Sequence, residues 1–189
     1  MAFLELRRTP LVSSAASALI AALNAELLAR YPEVPTAHFH LDPDEVSEGR
    51  GVFLVAYTNR VPLGCGALRR LDARTGELKR MFVDPGARGL GVARALVAGL
   101  EAEAHRLGFD RLVLEVGERQ PEAVALYADA GFVRVPPFAA NMASPLALCM
   151  GKDLVPLAPI LPVSSTAPTP PASFPVVDLP PVPRPVGRT

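Results

Sequence analysis

The stretch Val83-Asp84-Pro85-Gly86-Ala87-Arg88-Gly89-Leu90-Gly91-Val92-Ala93-Arg94-Ala95-Leu96 decides how the rest of the chain is read. An apolar run, Met81-Phe82-Val83, precedes it and reads as the end of a strand. Asp84-Pro85-Gly86 is a turn signal. Gly89 and Gly91 then open a long amphipathic pattern, so the order is strand, glycine-rich turn, helix. Amides at a helix N-terminus lack intrahelical partners and together carry about half an elementary positive charge. Small residues let an anion come close to those amides, and the stretch is by its local chemistry a phosphate cradle.

Cradles of this kind serve several ligands. A nucleotide P-loop needs Lys followed by Ser or Thr after its last glycine, and this turn has neither. A dinucleotide fingerprint needs Gly or Ala where this chain has Arg94, although Glu115 lies one β-α unit later, where a ribose-binding acid would sit. A nucleotide-dependent oxidoreductase is therefore the weaker reading, and a tight turn without a ligand is the plain one.

Outward from the turn, residues 77–83 read as a strand and residues 89–107 as a helix. Leu96, Val97, Leu100, Ala104 and Leu107 make its buried stripe, with Glu101, Glu103, His105 and Arg106 mostly off it and Gly108 closing it. Residues 112–116 form a strand, and Pro121 opens a short helix that Gly131 ends. Residues 132–135 and 146–151 read as a final strand pair around a loop at 136–145. Upstream, residues 3–9 are a strand and 14–30 a helix capped by Ser13 or Ser14. Residues 31–50, with His38 and His40, are a loop or short helix, and 52–57 with 61–71 make a hairpin. Gly64 and Gly66 interrupt its second strand, as at a bulge or a close backbone approach.

The chain has 189 residues, half of them apolar, with 19 basic and 19 acidic side chains. That length suits one domain, and the neutral balance offers no field to attract nucleic acid or anionic lipid, so neither is an expected partner. Cys65 and Cys149 make neither a metal spacing nor a disulfide framework, no metal is expected, and a reduced, cytoplasmic protein is the simplest reading. Arg7-Arg8 before an apolar run resembles a signal peptide, but Leu19, Leu23 and Leu27 recur at helical spacing and favour strand then helix. After Leu154 the composition turns to Pro, Ser, Thr and Ala. Residues 1–154 are expected to form the domain. Residues 155–189 are expected to be a disordered, polyproline-like tail without helix or ladder, dispensable rather than a ligand for a proline-reading partner.

Two motifs together resemble the GNAT acetyltransferase superfamily. Gly86-Ala87-Arg88-Gly89-Leu90-Gly91 is similar to its pyrophosphate loop, Q/R-x-x-G-x-G/A, departing at Gly86, and Arg88-Gly89-Leu90-Gly91-Val92-Ala93 is close to R-G-x-G-[IV]-[GA]. Leu126-Tyr127-Ala128-Asp129-Ala130-Gly131-Phe132 matches the L-Y-x-x-x-G-F signature of the following helix. Residues 77–83 also resemble a bacterial subgroup of small-molecule acetyltransferases. The resemblance implies an α/β (α+β) domain whose central sheet is mixed, mostly antiparallel, flanked by helices, with one splayed parallel pair at 77–83 and 111–117. It implies acetyl-CoA as cosubstrate, with main-chain groups of Phe82 and Val83 pairing with pantetheine. Amides from Gly86, Ala87, Arg88, Gly89, Leu90, Gly91 and Val92 would face the pyrophosphate, with Ala93 and Arg94 completing the loop and Arg88 or Arg94 adding charge-assisted bonds.

The implied reaction is acetyl transfer to a primary amine of a small molecule or peptide by direct attack. A covalent acetyl-cysteine route is disfavoured, since no Cys-His-acid set is evident. A lysine-like amine of pKa ~10.4 costs roughly 4–5 kcal/mol to deprotonate at pH 7, an α-amine near 7.8 only about 1 kcal/mol. A base is thus useful for the first and nearly optional for the second. Glu77 is the implied carboxylate base, with Glu115 and Asp84 weaker candidates, and Tyr127 the implied general acid. His38 and His40 either border the acceptor pocket or are ordinary loop residues. A homodimer is compatible with the resemblance, and a CoA-binding sensor without catalysis is the alternative function.

Overall fold

The computed structural model describes residues 2–33, 40–138, 147–155 and 177–179. The strands are β1 (Ala2–Arg8), β2 (Gly51–Thr58), β3 (Val61–Arg70), β4 (Thr75–Val83), β5 (Arg111–Gly117), β6 (Val133–Arg134), β7 (Ala147–Asp153) and β8 (Val177–Leu179). The helices are α1 (Ser14–Arg30), α2 (Val92–Arg106) and α3 (Pro121–Asp129), with single 3₁₀ turns at Pro43–Val46 and Pro85–Ala87. Local chemistry sets the helix ends. Ser13 Oγ accepts from Ala16 N–H to cap α1, Pro121 starts α3, and Gly108 and Gly131 take positive φ just beyond α2 and α3.

Among the described residues the strands form one sheet in the order β6-β7-β5-β4-β3-β2-β1-β8. Each neighbouring pair is antiparallel except β4 and β5. Leu96, Val97, Leu100 and Ala104 of α2 pack on one face against Leu54, Leu68, Leu78, Leu112 and Leu114. Ala16, Leu19 and Leu23 of α1 cover the other face over Phe53, Val55, Cys65, Ala67 and Phe82. The sheet is thus a middle layer between helices, which satisfies its two apolar faces.

The parallel pair opens partway along. Thr75–Leu78 pair with Arg111–Leu114, and beyond them residues 79–83 and 115–117 run on without pairing each other. A bulge in β4 marks the start of the opening: β3 spends two steps from Cys65 to Ala67 while β4 spends three from Phe82 to Lys79. Arg80 sits in the extra step with φ 57°. Gly64 opposite is sterically required, for a Cβ there would lie 2.6 Å from the Phe82 carbonyl oxygen, while one at Gly66 would displace the Met81 side chain, whose Sδ is 2.4 Å away.

Three expectations are corrected. Part of the C-terminal region forms a ladder: Val177–Leu179 pair antiparallel with Ala2–Leu4 at the edge of the sheet. The physical reason is local, since residues 176–179 are a proline-free, β-branched run beside an edge strand whose main chain otherwise lacks a partner. Helix α2 begins at Val92 rather than at residue 89, because the 3₁₀ turn and the left-handed Gly91 intervene. Glu103 is not on the outer face but 2% exposed, held by Arg8 Nε and Nη2 at 2.9 and 2.7 Å and by Arg106 at 2.5 Å. His38, most of the loop at 136–145 and most of the C-terminal region lie outside the described residues.

Candidate active site

The opening between β4 and β5 leads into a cleft of about 430 Å³. Its walls are Leu23, Glu26 and Leu27 of α1, the end of β4, the glycine turn, the first residues of α2, and Gln120, Glu122, Ala123, Leu126 and Tyr127 at α3. Of the expected cofactor residues, Phe82, Val83, Ala87, Arg88, Gly89, Gly91, Val92, Ala93 and Arg94 line it, while Gly86 and Leu90 do not.

The cradle is narrower than the sequence suggests. The Gly86 N–H donates to Asp84 Oδ1 at 2.9 Å, Ala87 N–H to the Asp84 carbonyl at 2.8 Å, and Arg88 N–H to the Pro85 carbonyl at 3.4 Å. These three amides are engaged within the 3₁₀ turn. The Gly86 bond engages Asp84 Oδ1 as the cap of the turn. In α2 the first backbone bond runs from Ala95 N–H to the Gly91 carbonyl, so the N–H groups of Val92, Ala93 and Arg94 precede the ladder. Gly89 and Gly91 adopt φ 79° and 81°, and nothing lies within 4 Å of a Cβ at either. Left-handed backbone, open space and unladdered amides converge there, which fits a pyrophosphate. The edges of β4 and β5 that no longer pair with each other, with Met81 and Phe82 at the cleft, fit an amide-bearing apolar arm such as pantetheine.

Arg88 Nε donates to the Val83 carbonyl at 3.1 Å, so that acceptor is shared before any ligand arrives. Arg94 is exposed and 3.6 Å from Asp129. Tyr127 is 6% exposed, with its ring edge-on to Phe132 at 5.8 Å. Burial holds its phenol well above the ordinary tyrosine range, so the hydroxyl stays protonated.

Glu77 is 5% exposed and lies outside the cleft wall. It alternates with Leu78, which packs toward α2, and so faces the opposite side of the sheet. Arg69 Nε donates to Glu77 Oε2 at 2.6 Å, Arg69 also pairs with Glu45, and Lys79 Nζ lies 3.8 Å from Glu77 Oε1. Glu115 shares that face by alternation and stands opposite Cys149 in the β5–β7 ladder. Burial, reinforced by the Glu115 charge, raises the Cys149 thiol, and burial pushes Cys65 up to about 12. Neither cysteine is poised as a thiolate. His40 is exposed.

Sequence reading missed Arg69 and Glu45, and it missed α1 as a cleft wall. Arg69 was within reach: once the turn at 71–76 is placed, the hairpin register sets Arg69 opposite Glu77. Glu26 offered no such signal, since its partner Arg88 is 62 positions away.

Residues 19–132 match the model of the acetyltransferase (GNAT) family, and the chain belongs to that family. It is an acetyltransferase by that membership, with acetyl-CoA as the expected cosubstrate. It is 42% identical over 103 residues to the IAA acetyltransferase of Azospirillum brasilense, covering 54% of this chain and 67% of that protein. It is 33% identical over 128 residues to the mycothiol acetyltransferase of Beutenbergia cavernae, covering 60% of this chain and 40% of that protein. A Klebsiella pneumoniae protein described as an acyl-CoA N-acyltransferase superposes with TM-score 0.67 at 29% identity, over 80% of this chain and 98% of its own. The fold is also that of a GNAT family acetyltransferase from Elizabethkingia anophelis with acetyl-CoA bound, at TM-score 0.58 and 17% identity, over 80% of this chain and 98% of that one. No helix among the described residues is long and apolar enough to cross a membrane.

Proposed function

We propose that this protein transfers acetyl from acetyl-CoA to a primary amine of a small molecule or peptide by direct attack. The observation that carries the reading is the meeting, in one cleft, of the β4–β5 opening, the amides before the α2 ladder, and the protonated Tyr127 hydroxyl. When bound, acetyl-CoA supplies a thioester carbon open to nucleophiles. The main-chain edges of β4 and β5 hold its arm, and the turn at Gly89–Gly91 with the first amides of α2 holds its phosphates. The acceptor nitrogen forms the new C–N bond as the C–S bond breaks, and the nitrogen loses a proton.

Glu77 is the proposed acceptor of that proton, directly or through water. Its Oε2 is bonded to Arg69, and Oε1, 3.8 Å from Lys79 Nζ, is the oxygen proposed to take the proton. Tyr127 is proposed to hold the departing sulfur. A phenol above ~10 giving its proton outright to a thiolate of ordinary pKa ~8.5 would go uphill by at least about 2 kcal/mol, so the hydroxyl acts mainly as a hydrogen-bond donor. The two described cysteines hold their protons, which supports one direct transfer over a route through an acetylated thiol.

The test is free-thiol release from acetyl-CoA across amino acids, polyamines, aminoglycosides and peptides, with mass spectrometry of the product. Acetylation on nitrogen is expected. Acetylation on sulfur or oxygen, or acetyl-CoA binding with no turnover on any amine, overturns the proposal, the second outcome pointing to a CoA-binding sensor.

A further inference from the structure

We infer that Glu26 of α1 is a positioning residue of the acetyl-CoA site, aiming Arg88 across the cleft mouth at the phosphates; this rests on the cofactor assignment above. Leu23, Glu26 and Leu27 project from one face of α1 into the cleft, and Glu26 is the charged member of that wall. A carboxylate beside an anion site is unfavourable unless it serves a cation. Here it serves two. Arg88 Nη2 donates to Oε2 at 2.5 Å, and Arg30 Nη2 lies 2.9 Å from Oε1.

Arg88 is thereby gripped at two points, Nη2 by Glu26 and Nε by the Val83 carbonyl, with its guanidinium 6.0 Å over the Phe82 ring. Both anchors and Phe82 line the cleft. A guanidinium fixed on two of its nitrogens has one rotamer, and its Nη1 edge is left for a ligand. A planar fork held in place loses less freedom on binding phosphate than one swinging in solvent. Arg30 extends the arrangement, donating from Nη1 to Glu122 at 2.5 Å and to the Arg119 carbonyl at 3.2 Å at the start of α3. A continuous line of charge-assisted bonds, from Val83 through Arg88, Glu26 and Arg30 to Glu122, therefore rims the mouth and makes α1 part of the cofactor half.

A double-mutant cycle on the full chain tests this, with acetyl-CoA affinity by calorimetry and steady-state kinetics as readouts. Glu26→Ala and Arg88→Ala should each weaken binding about tenfold and raise KM for acetyl-CoA, with kcat unchanged. The double variant should bind no worse than Arg88→Ala, because Glu26 acts only through Arg88. Additive losses would mean that Glu26 works independently of Arg88. Tighter binding by Glu26→Ala would mean that the carboxylate competes with the phosphates. Either result overturns the inference. Glu26→Gln, which keeps shape and loses charge, should show a smaller loss of the same kind and replaces the alanine variant if that one unfolds. Failure of the wild-type protein to bind acetyl-CoA would instead overturn the cofactor assignment, and this inference with it.

Discussion

The two sides of the β4–β5 opening are built by different means. The proposed cofactor side is mostly main chain: strand edges that do not pair each other, two left-handed glycines and the first amides of a helix. The sheet face where Glu77 lies is mostly side chain: Arg69 and Lys79 flank its carboxylate, and Arg69 is paired in turn with Glu45. Main-chain sites tolerate change in most side chains and fail where backbone conformation fails. Side-chain sites can be retuned one residue at a time. A family that keeps one cosubstrate and varies its acceptors would be served by that division.

The sharpest way to break the contrast is Gly89→Glu. A carboxylate about 4 Å from a phosphate costs on the order of 4 kcal/mol at an effective dielectric near 20, so acetyl-CoA affinity should fall by about a thousandfold. The left-handed φ of 79° adds strain for any side chain. Calorimetry with retained thermal unfolding would check it, and unchanged affinity would place the pyrophosphate elsewhere.

Tyr127→Phe removes one donor and leaves the ring. We expect kcat to drop about a hundredfold with acetyl-CoA affinity unchanged; intact turnover would make Tyr127 a packing residue. Glu77→Gln sharpens the other side. Its kcat/KM should fall about a hundredfold for a lysine-like amine and only a few-fold for an α-amine, since the base matters in proportion to the proton's hold. Equal losses for both amines would assign Glu77 a structural role with Arg69.

The smallest effect is on stability at high pH. The Tyr127 phenol is raised in the folded protein, so its contribution is intact below about pH 10 and lost as pH rises toward the folded value. Above pH ~10 the wild-type protein should lose about 1.4 kcal/mol per unit more than Tyr127→Phe, as read by urea unfolding. Parallel decline of the two proteins would mean that Tyr127 is not buried as protonated phenol.

The cofactor side was legible because its signals are local. Proline, glycine and apolar spacing act within a few residues, and the strand-turn-helix around Gly89 and the helix carrying Tyr127 follow from them. The bonds inside the turn were not legible, because a capping Asp84 reads like any turn aspartate until its oxygen is placed on Gly86. The ionic arrangements were hidden for a different reason. Glu103 meets Arg8 across 95 positions, and Glu26 meets Arg88 across 62, so only the packing of α1, α2 and β1 brings them together. The strand at Val177–Leu179 escaped because a four-residue run between prolines carries no period of its own. Its pairing is dictated by the open edge it finds.

That last strand sets an order of assembly. β7 and β8 lie at opposite flanks of the sheet, and β8 can dock only after β1 is in place. Residues 154–176 separate β8 from β7 along the chain, so its pairing with β1 is non-local. It is a ladder of three residue pairs. That short ladder covers the outer edge of β1 at Ala2–Leu4. Without it, the outer edge of β1 would offer its main chain to another extended segment, at the side of the sheet away from the proposed acetyl-CoA cleft beyond β2 and β3.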